Sequence, residues 1–364
     1  MRPILAKIHL GHLAYNFRLL QQKAAPSSIM AVVKADAYGH GLIPVAETLF
    51  AEGCRSFAVT DADEGALLRI SLSENMAKTI DIILLSGLFD ESDAQLILNH
   101  ALIPVVSAPH HLDWLQGVGF KGSVWLKLDT GMSRIGAENT EDMLQSIHQY
   151  SMTLAGIMSH LACADTPEHP LNQEQLLKFE SIQQHTQAPA YSLLNSAGIT
   201  AYSSEIQTDF VRPGIALYGA EPIPSRPLGL KPVMQLSGQI LQVRDIQADE
   251  SVSYGATWAA KEDTRIAVVG LGYGDGLPRA LSNLGNAHHY NAGLLPIVGR
   301  VCMDYCMLAV NNHHVQLGDE VIFFGFDEQT PTANEVAHLC RTISYELFTG
   351  INPRVTRRYL KEST

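Results

Sequence analysis

The first chemically distinctive residue is a lysine that directly follows an apolar run: Lys34, in Ala31-Val32-Val33-Lys34-Ala35-Asp36-Ala37-Tyr38-Gly39-His40-Gly41. A charged amine beside a buried strand is costly unless it has a partner or a task. One task is an imine with an aldehyde cofactor, which removes the charge; pyridoxal phosphate would then serve as the electron sink. The competing reading is a lysine that snorkels from a strand end or pairs with Asp36. Two later segments also carry unusual polar residues, Asn195-Ser196-Ala197-Gly198 and Phe210-Val211-Arg212-Pro213-Gly214-Ile215. Ser196, Gly214 and Ile215 suit a phosphate, which small residues and backbone N–H groups can cradle. Asn-Ser and Pro-Gly are equally ordinary turn formers.

These residues need elements to position them. Short apolar runs alternate with helical patterns over the first two thirds of the chain. Strands are expected at Ile29–Lys34, Ser56–Thr60, Asp81–Ser86, Leu102–Ser107, Val124–Asp129, Leu154–His160, Ala190–Asn195 and Val211–Gly219. Several are nearly continuous Val/Ile/Leu, as in parallel strands covered on both faces. Helices are expected between them, at Pro44–Phe50, Ala62–Arg69, Glu141–Tyr150 and Gln173–His185. About eight such units describe a (β/α)8 TIM-type barrel, whose functional groups sit at the C-terminal ends of strands and whose last two loops commonly bind phosphate. A doubly wound sheet is disfavoured, because no G-x-G-x-x-G follows the first strand.

The stretch Ala220–Pro227 is Pro-rich and reads as an extended linker. Beyond it, Val233–Val243, Arg265–Leu271, Leu294–Val298, Tyr305–Val310 and Glu320–Phe324 read as strands, with Asn334–Cys340 the main helix. The chain thus divides into a barrel over 1–221 and a smaller β-rich domain over 222–364, whose terminal segment can return to the barrel.

A formal charge of -12 without Lys/Arg runs argues against nucleic acid and anionic membranes as partners. Cys54, Cys163, Cys302, Cys306 and Cys340 are odd in number and scattered, which fits reduced thiols in the cytoplasm. The N-terminus shows no apolar core of a signal peptide, and no run is long enough to span a bilayer. Gly270–Gly276 resembles a nucleotide loop, but Pro278 follows at once, so a turn is expected. His110-His111, His288-His289 and His313-His314 lack metal-ligand spacing and are expected at the surface.

Taken together, five segments resemble the alanine racemases. They are Ala31–Gly41, Gly131-Met132-Ser133-Arg134-Ile135-Gly136, Arg212-Pro213-Gly214-Ile215-Ala216-Leu217-Tyr218-Gly219, Val252-Ser253-Tyr254-Gly255, and Gly299-Arg300-Val301-Cys302-Met303-Asp304. They occur in the family's order and span nearly the whole chain.

The resemblance implies a pyridoxal 5'-phosphate enzyme that racemises alanine with two bases, Lys34 and Tyr254, Lys34 also carrying the cofactor. It implies that Tyr38, Ser196, Gly214, Ile215 and Tyr345 hold the phosphate, with Asn195 beside them. Arg212 would face the pyridine nitrogen, and His160 would bridge Tyr254 and Arg212. Arg134, Met303 and Asp304 would meet the substrate, and Tyr273 would line its entrance. Lys127 matches a position that is carbamylated in some relatives. A homodimer with shared sites is implied, Tyr254 and Met303 coming from the partner. Two bases suit the reaction, since a proton must leave one face of the α-carbon and arrive on the other. Free Lys and Tyr titrate near pH ~10, so each needs a downward shift or a proton network. The rivals are a barrel-type decarboxylase and a non-enzymatic pyridoxal-phosphate-binding barrel.

Overall fold

Eight short parallel strands, mostly buried on both faces, close on themselves in the computed structural model, which describes residues 4–311 and 313–361. They are β2 (Ser28–Val32), β3 (Ser56–Val59), β4 (Asp81–Leu84), β5 (Ile103–Val106), β6 (Ser123–Lys127), β7 (Thr153–Met158), β8 (Tyr191–Asn195) and β9 (Phe210–Arg212). Closure is made by β9 returning to β2, with Ser28 opposite Phe210 and Ile29 opposite Val211. This is the expected barrel. Its strands are legible because their Val/Ile/Leu runs have no solvent face to encode. The expected strand Val211–Gly219 is shorter than read: Pro213 and Gly214 end it, and Ile215–Tyr218 form a 3-10 turn.

The second sheet contains β1 (Ile4–His9), β10 (Met234–Ile246), β11 (Thr264–Val269), β12 (Asn286–His289), β13 (Gly293–Pro296), β14 (Cys306–Ala309), β15 (Glu320–Phe324) and β16 (Thr356–Leu360). The first strand corrects the simple division at residue 221. β1 alternates buried and half-buried side chains, the period of a sheet with one covered face. It pairs antiparallel with β10 and parallel with β16, so the N-terminal strand belongs to the second sheet. Residues Met1–Pro3 lie outside the described residues. The long β10 serves three neighbours, bonding β1 and β15 through its first half and β11 through its second, with a bulge between Ile240 and Gln242.

The Pro-rich linker is folded back rather than extended. The Glu221 carboxylate accepts the amides of Leu228, Gly229 and Leu230 at 2.9, 3.0 and 2.9 Å, which turns the chain toward β10. His110, His313 and His314 are exposed as expected, but His111, His288 and His289 are buried. His111 lies on the helix Pro109–Gly117, and the other two lie in β12 between β13 and β15. For β12 the pairing with the distant β15, where His289 Nε2 lies 3.1 Å from Asp319 Oδ2, is what the sequence does not announce. Among the described residues no helix is long and apolar enough to cross a membrane.

Candidate active site

The barrel mouth contains a cavity of about 510 Å³ at the C-terminal strand ends. Its lining includes Lys34, Tyr38, Lys127, Arg134, His160, Asn195, Ser196, Arg212, Gly214, Ile215 and Tyr345, which the sequence had singled out, and also Leu85, Ser86, Ile135 and Thr349, which it had not.

Lys34 follows β2 and opens a tight turn, Lys34–Gly39. Ala35, Asp36, Ala37 and Tyr38 all take left-handed φ values of 52–54°. For non-glycine residues this costs roughly 1–2 kcal/mol each, so the surroundings must hold the turn. They do so from far along the chain. The Arg357 guanidinium donates to Gly39 O at 3.2 Å, and a Cβ on Gly39 would sit 2.2 Å from Phe348 O in the helix Ser344–Thr349. The turn swings Tyr38 inward, where it stacks on Tyr218 at 4.8 Å and leans on Tyr345 at 5.8 Å. Burial, then the neighbouring Tyr345, raises the Tyr38 phenol well above its usual range. Burial, helped by Asp165, pushes Tyr345 up to about 12. Both therefore stay neutral hydroxyl donors.

Opposite lies a cradle of small residues. Ser196 Oγ accepts from the amides of Gly214 (2.9 Å) and Ala216 (3.3 Å). A Cβ on Gly214 would lie 2.5 Å from Tyr38 Oη, so only glycine lets the phenol approach. The cradle joins the ends of β8 and β9, where the helix Ser196–Tyr202 and the 3-10 turn begin.

Arg212 is 4% exposed at the end of β9. Its guanidinium donates to Ser192 Oγ (2.6 Å), Ser159 O and Leu193 O (3.3 Å), and to His160 Nδ1 at 3.2 Å. Arginine can only donate, so His160 accepts through Nδ1 and carries its proton on Nε2. That edge meets the Asn195 amide nitrogen at 3.3 Å. Asn195 Oδ1 is already engaged with Gly198 N at 2.8 Å, capping the helix Ser196–Tyr202. The Nε2 proton thus faces another donor and suits a further acceptor. Burial, then Arg212, Arg134, Lys127 and Lys34, holds His160 well below its usual range and keeps it neutral.

Lys127 ends β6 and is buried, with its ammonium 3.4 Å from Leu85 O. Burial, then Arg212, Arg134 and Lys34, pulls it down to about 8. Burial and then Arg134 lower Lys34, against an upward pull from Glu64. Burial, then Arg134, lowers Arg212 to about 10, still charged at neutral pH. The cavity thus gathers Lys34, Lys127, Arg134 and Arg212, a field suited to an anion. The loop of Arg134 hangs from Asp129, whose carboxylate accepts the amides of Gly131 (2.7 Å), Met132 (2.9 Å) and Arg134 (3.3 Å). Sequence reading passed over Asp129; an aspartate two residues before a glycine at a strand end is the signal for such a turn.

Tyr254, Tyr273, Met303 and Asp304 do not line this cavity. They gather on the second domain: Tyr273 N donates to Cys302 O at 2.9 Å, Gly274 N to Met303 O at 2.8 Å, and Ser253 Oγ to Arg300 O at 2.6 Å. Arg354 staples the group, reaching Asp275 at 2.7 Å and Asp304 at 2.9 Å. Tyr254 is 72% and Met303 54% exposed.

Comparison with known proteins agrees across both domains. Residues 8–222 match the alanine racemase N-terminal domain and 233–359 the alanine racemase C-terminal domain. The alanine racemase of Shewanella woodyi is 39% identical, over 96% of this chain and 97% of its own. The biosynthetic alanine racemase of Pseudomonas aeruginosa superposes with a TM-score of 0.91 at 32% identity, over 99% of this chain and 100% of that one. The alanine racemase of Bartonella henselae, solved with covalently bound pyridoxal phosphate, gives 0.89 at 32%, over 99% and 100%. By its domains, its fold and the residues of its barrel mouth, this chain belongs to the alanine racemase family.

Proposed function

We propose that this chain interconverts L- and D-alanine with pyridoxal 5'-phosphate seated in the barrel mouth. The observation that carries this is the convergence on one cavity of Lys34, the buried Arg212 and the Ser196–Gly214 cradle. Pyridoxal phosphate, when bound, draws electrons from the α-carbon of an amino acid and makes its proton acidic. The residues fit the group. Arg134 and Arg212 suit its anionic charge, and the cradle offers the Ser196 hydroxyl beside two neutral phenols.

Lys34 would hold the cofactor covalently. Tyr38, Ser196, Gly214, Ile215, Tyr345 and Asn195 would surround its phosphate side, and Arg212 would face the pyridine nitrogen. A guanidinium still charged at neutral pH has no proton to give readily, so that nitrogen stays unprotonated and side reactions are restrained. Lys34 Nζ moves the α-proton on one face and Tyr254 Oη on the other. His160 links Tyr254 to Arg212 by offering its Nε2 proton to the phenolate oxygen. Arg134 and the Met303 N–H orient the substrate carboxylate, Asp304 shapes the pocket and Tyr273 guards its entrance. A carbamate on Lys127 would face Arg134 and fix its direction.

Tyr254 and Met303 are exposed on the second domain of their own chain, which supports a homodimer in which each copy completes the other's site. The five cysteines are free, which supports a cytoplasmic enzyme. The product would be D-alanine for peptidoglycan, or alanine interconverted for catabolism. Incubating the protein with L-alanine in deuterated water tests the reading. The expected product is D-alanine deuterated at the α-carbon; carbon dioxide release, or no turnover, refutes it.

A further inference from the structure

Glu64 sits in the first turn of the helix Ala62–Ser71, three residues after the capping Asp61, whose carboxylate accepts the Glu64 amide at 2.9 Å. A glutamate in that position ordinarily reaches back to the amide of the capping residue itself. This one reaches past it. Its Oε2 accepts from Thr60 N at 2.8 Å, beyond the end of β3, and its Oε1 accepts from Ala35 N at 2.6 Å, the first left-handed residue after Lys34. One carboxylate therefore ties two neighbouring strand ends of the barrel mouth, and its second oxygen is spent on the peptide that aims the Lys34 side chain.

We infer that Glu64 is a positioning residue for Lys34, fixing where its amine points through the Ala35 peptide. The inference rests on the reading of Lys34 as cofactor-bearing base. Two separable effects follow. The first is geometric: a carboxylate can accept both amides, whereas an amide side chain accepts one and turns a donor toward the other. The second is electrostatic. The charged and titratable groups around Lys34 are Arg134, Lys127, Arg212, His160, Tyr38, Tyr345 and Glu64. Glu64 is the group among them that draws the Lys34 titration upward, against burial and Arg134. It opposes the cationic field, so that Lys34 can return a proton as well as take one.

Glu64→Gln and Glu64→Asp separate the effects. The glutamine removes the charge and one amide bond; the aspartate keeps the charge but is too short to span both amides. In the holoenzyme, E64Q is expected to lower kcat about tenfold through misaligned Lys34. It should also move the pH midpoint for Lys34 acting as base to lower pH. The pH titration of the bound cofactor's visible absorbance, which needs no turnover, should shift the same way. E64D should lower kcat with both midpoints left at the wild-type values. Borohydride trapping on each variant checks the underlying reading: cofactor fixed to a lysine other than Lys34 overturns that reading, and this inference with it. With trapping on Lys34, wild-type kcat and midpoints in E64Q overturn the role of Glu64 alone. So does a loss of activity with unshifted midpoints, which would make Glu64 a scaffold residue. If E64Q does not fold, E64D decides, and wild-type kcat in it overturns the inference.

Discussion

Lys127 offers the sharpest test of the electrostatics in the barrel mouth. Its buried amine titrates at about 8, down from the ordinary 10.5, because burial and three neighbouring cations disfavour its charge. At pH 7 the neutral fraction is then about a tenth, about 300-fold above that of a free lysine. Carbon dioxide adds only to the neutral amine, forming an N–C bond and releasing one proton, and the resulting carbamate places a negative charge among Lys34, Arg134 and Arg212. Two states of Lys127 predict opposite energetics. As a plain amine it is charged both folded and unfolded below pH 8, so its full penalty of about 3 kcal/mol is present there. The unfolded chain binds more protons between pH 8 and 10.5, so stability would rise across that window as the penalty is relieved. Lys127→Met would then stabilise the protein by about that amount at pH 7. As a carbamate the residue offsets its cationic neighbours, so the same substitution should bring no gain in stability. It should raise the KM for alanine about tenfold, as Arg134 loses its orienting partner. We expect the second outcome. NMR of protein equilibrated with 13C-bicarbonate should show a carbamate carbon that K127M lacks. No such carbon, with a K127M protein about 3 kcal/mol more stable in urea and unchanged in KM, would refute the reasoning.

Two further outcomes are expected. Arg212→Glu should let the cofactor ring take a proton, lower the racemisation rate and produce a new visible absorption with alanine; an unchanged spectrum and rate at saturating alanine would mean that Arg212 does not face the ring nitrogen. Lys34→Ala and Tyr254→Phe should each be nearly inactive alone, yet co-refolded heterodimers should recover substantial activity, because one of their two sites combines an intact Lys34 with the partner's intact Tyr254; verified heterodimers as inactive as their parents would overturn site sharing.

The barrel and the residues gathered at its mouth were legible for a physical reason: strands buried on both faces are written as apolar runs, and the groups that end them stand out. Lys34, Lys127, His160, Asn195 and Arg212 all lie at or just past such ends. What could not be read was decided by residues far away in sequence. Ala35, Ala37 and Tyr38 are not residue types that favour positive φ, and the contacts that hold the turn come from Phe348 and Arg357. His288 and His289 look like surface residues until the distant β15 pairs with their strand. The strand β1 alternates legibly, but both of its partners lie beyond the barrel. Glu64 looks like an ordinary helix-start residue, and only the fold brings Ala35 to it.

The position of β1 bears on how the chain is made. The barrel occupies one continuous stretch, from Ser28 to Arg212, and every strand needed to close it has been synthesised once β9 leaves the ribosome. β1 emerges before the barrel strands and waits through that whole period with both edges open, since its partners, β10 and β16, both follow β9. An unpaired strand of this kind is a template for misassembly with other nascent chains. Its rescue depends on a segment made after the barrel, so β1 reaches its final pairing only when β16 does. The same late segment carries Arg357, which grips the turn behind Lys34. Completion of the second sheet and the setting of the turn behind Lys34 therefore belong to one event, after the barrel strands have been made.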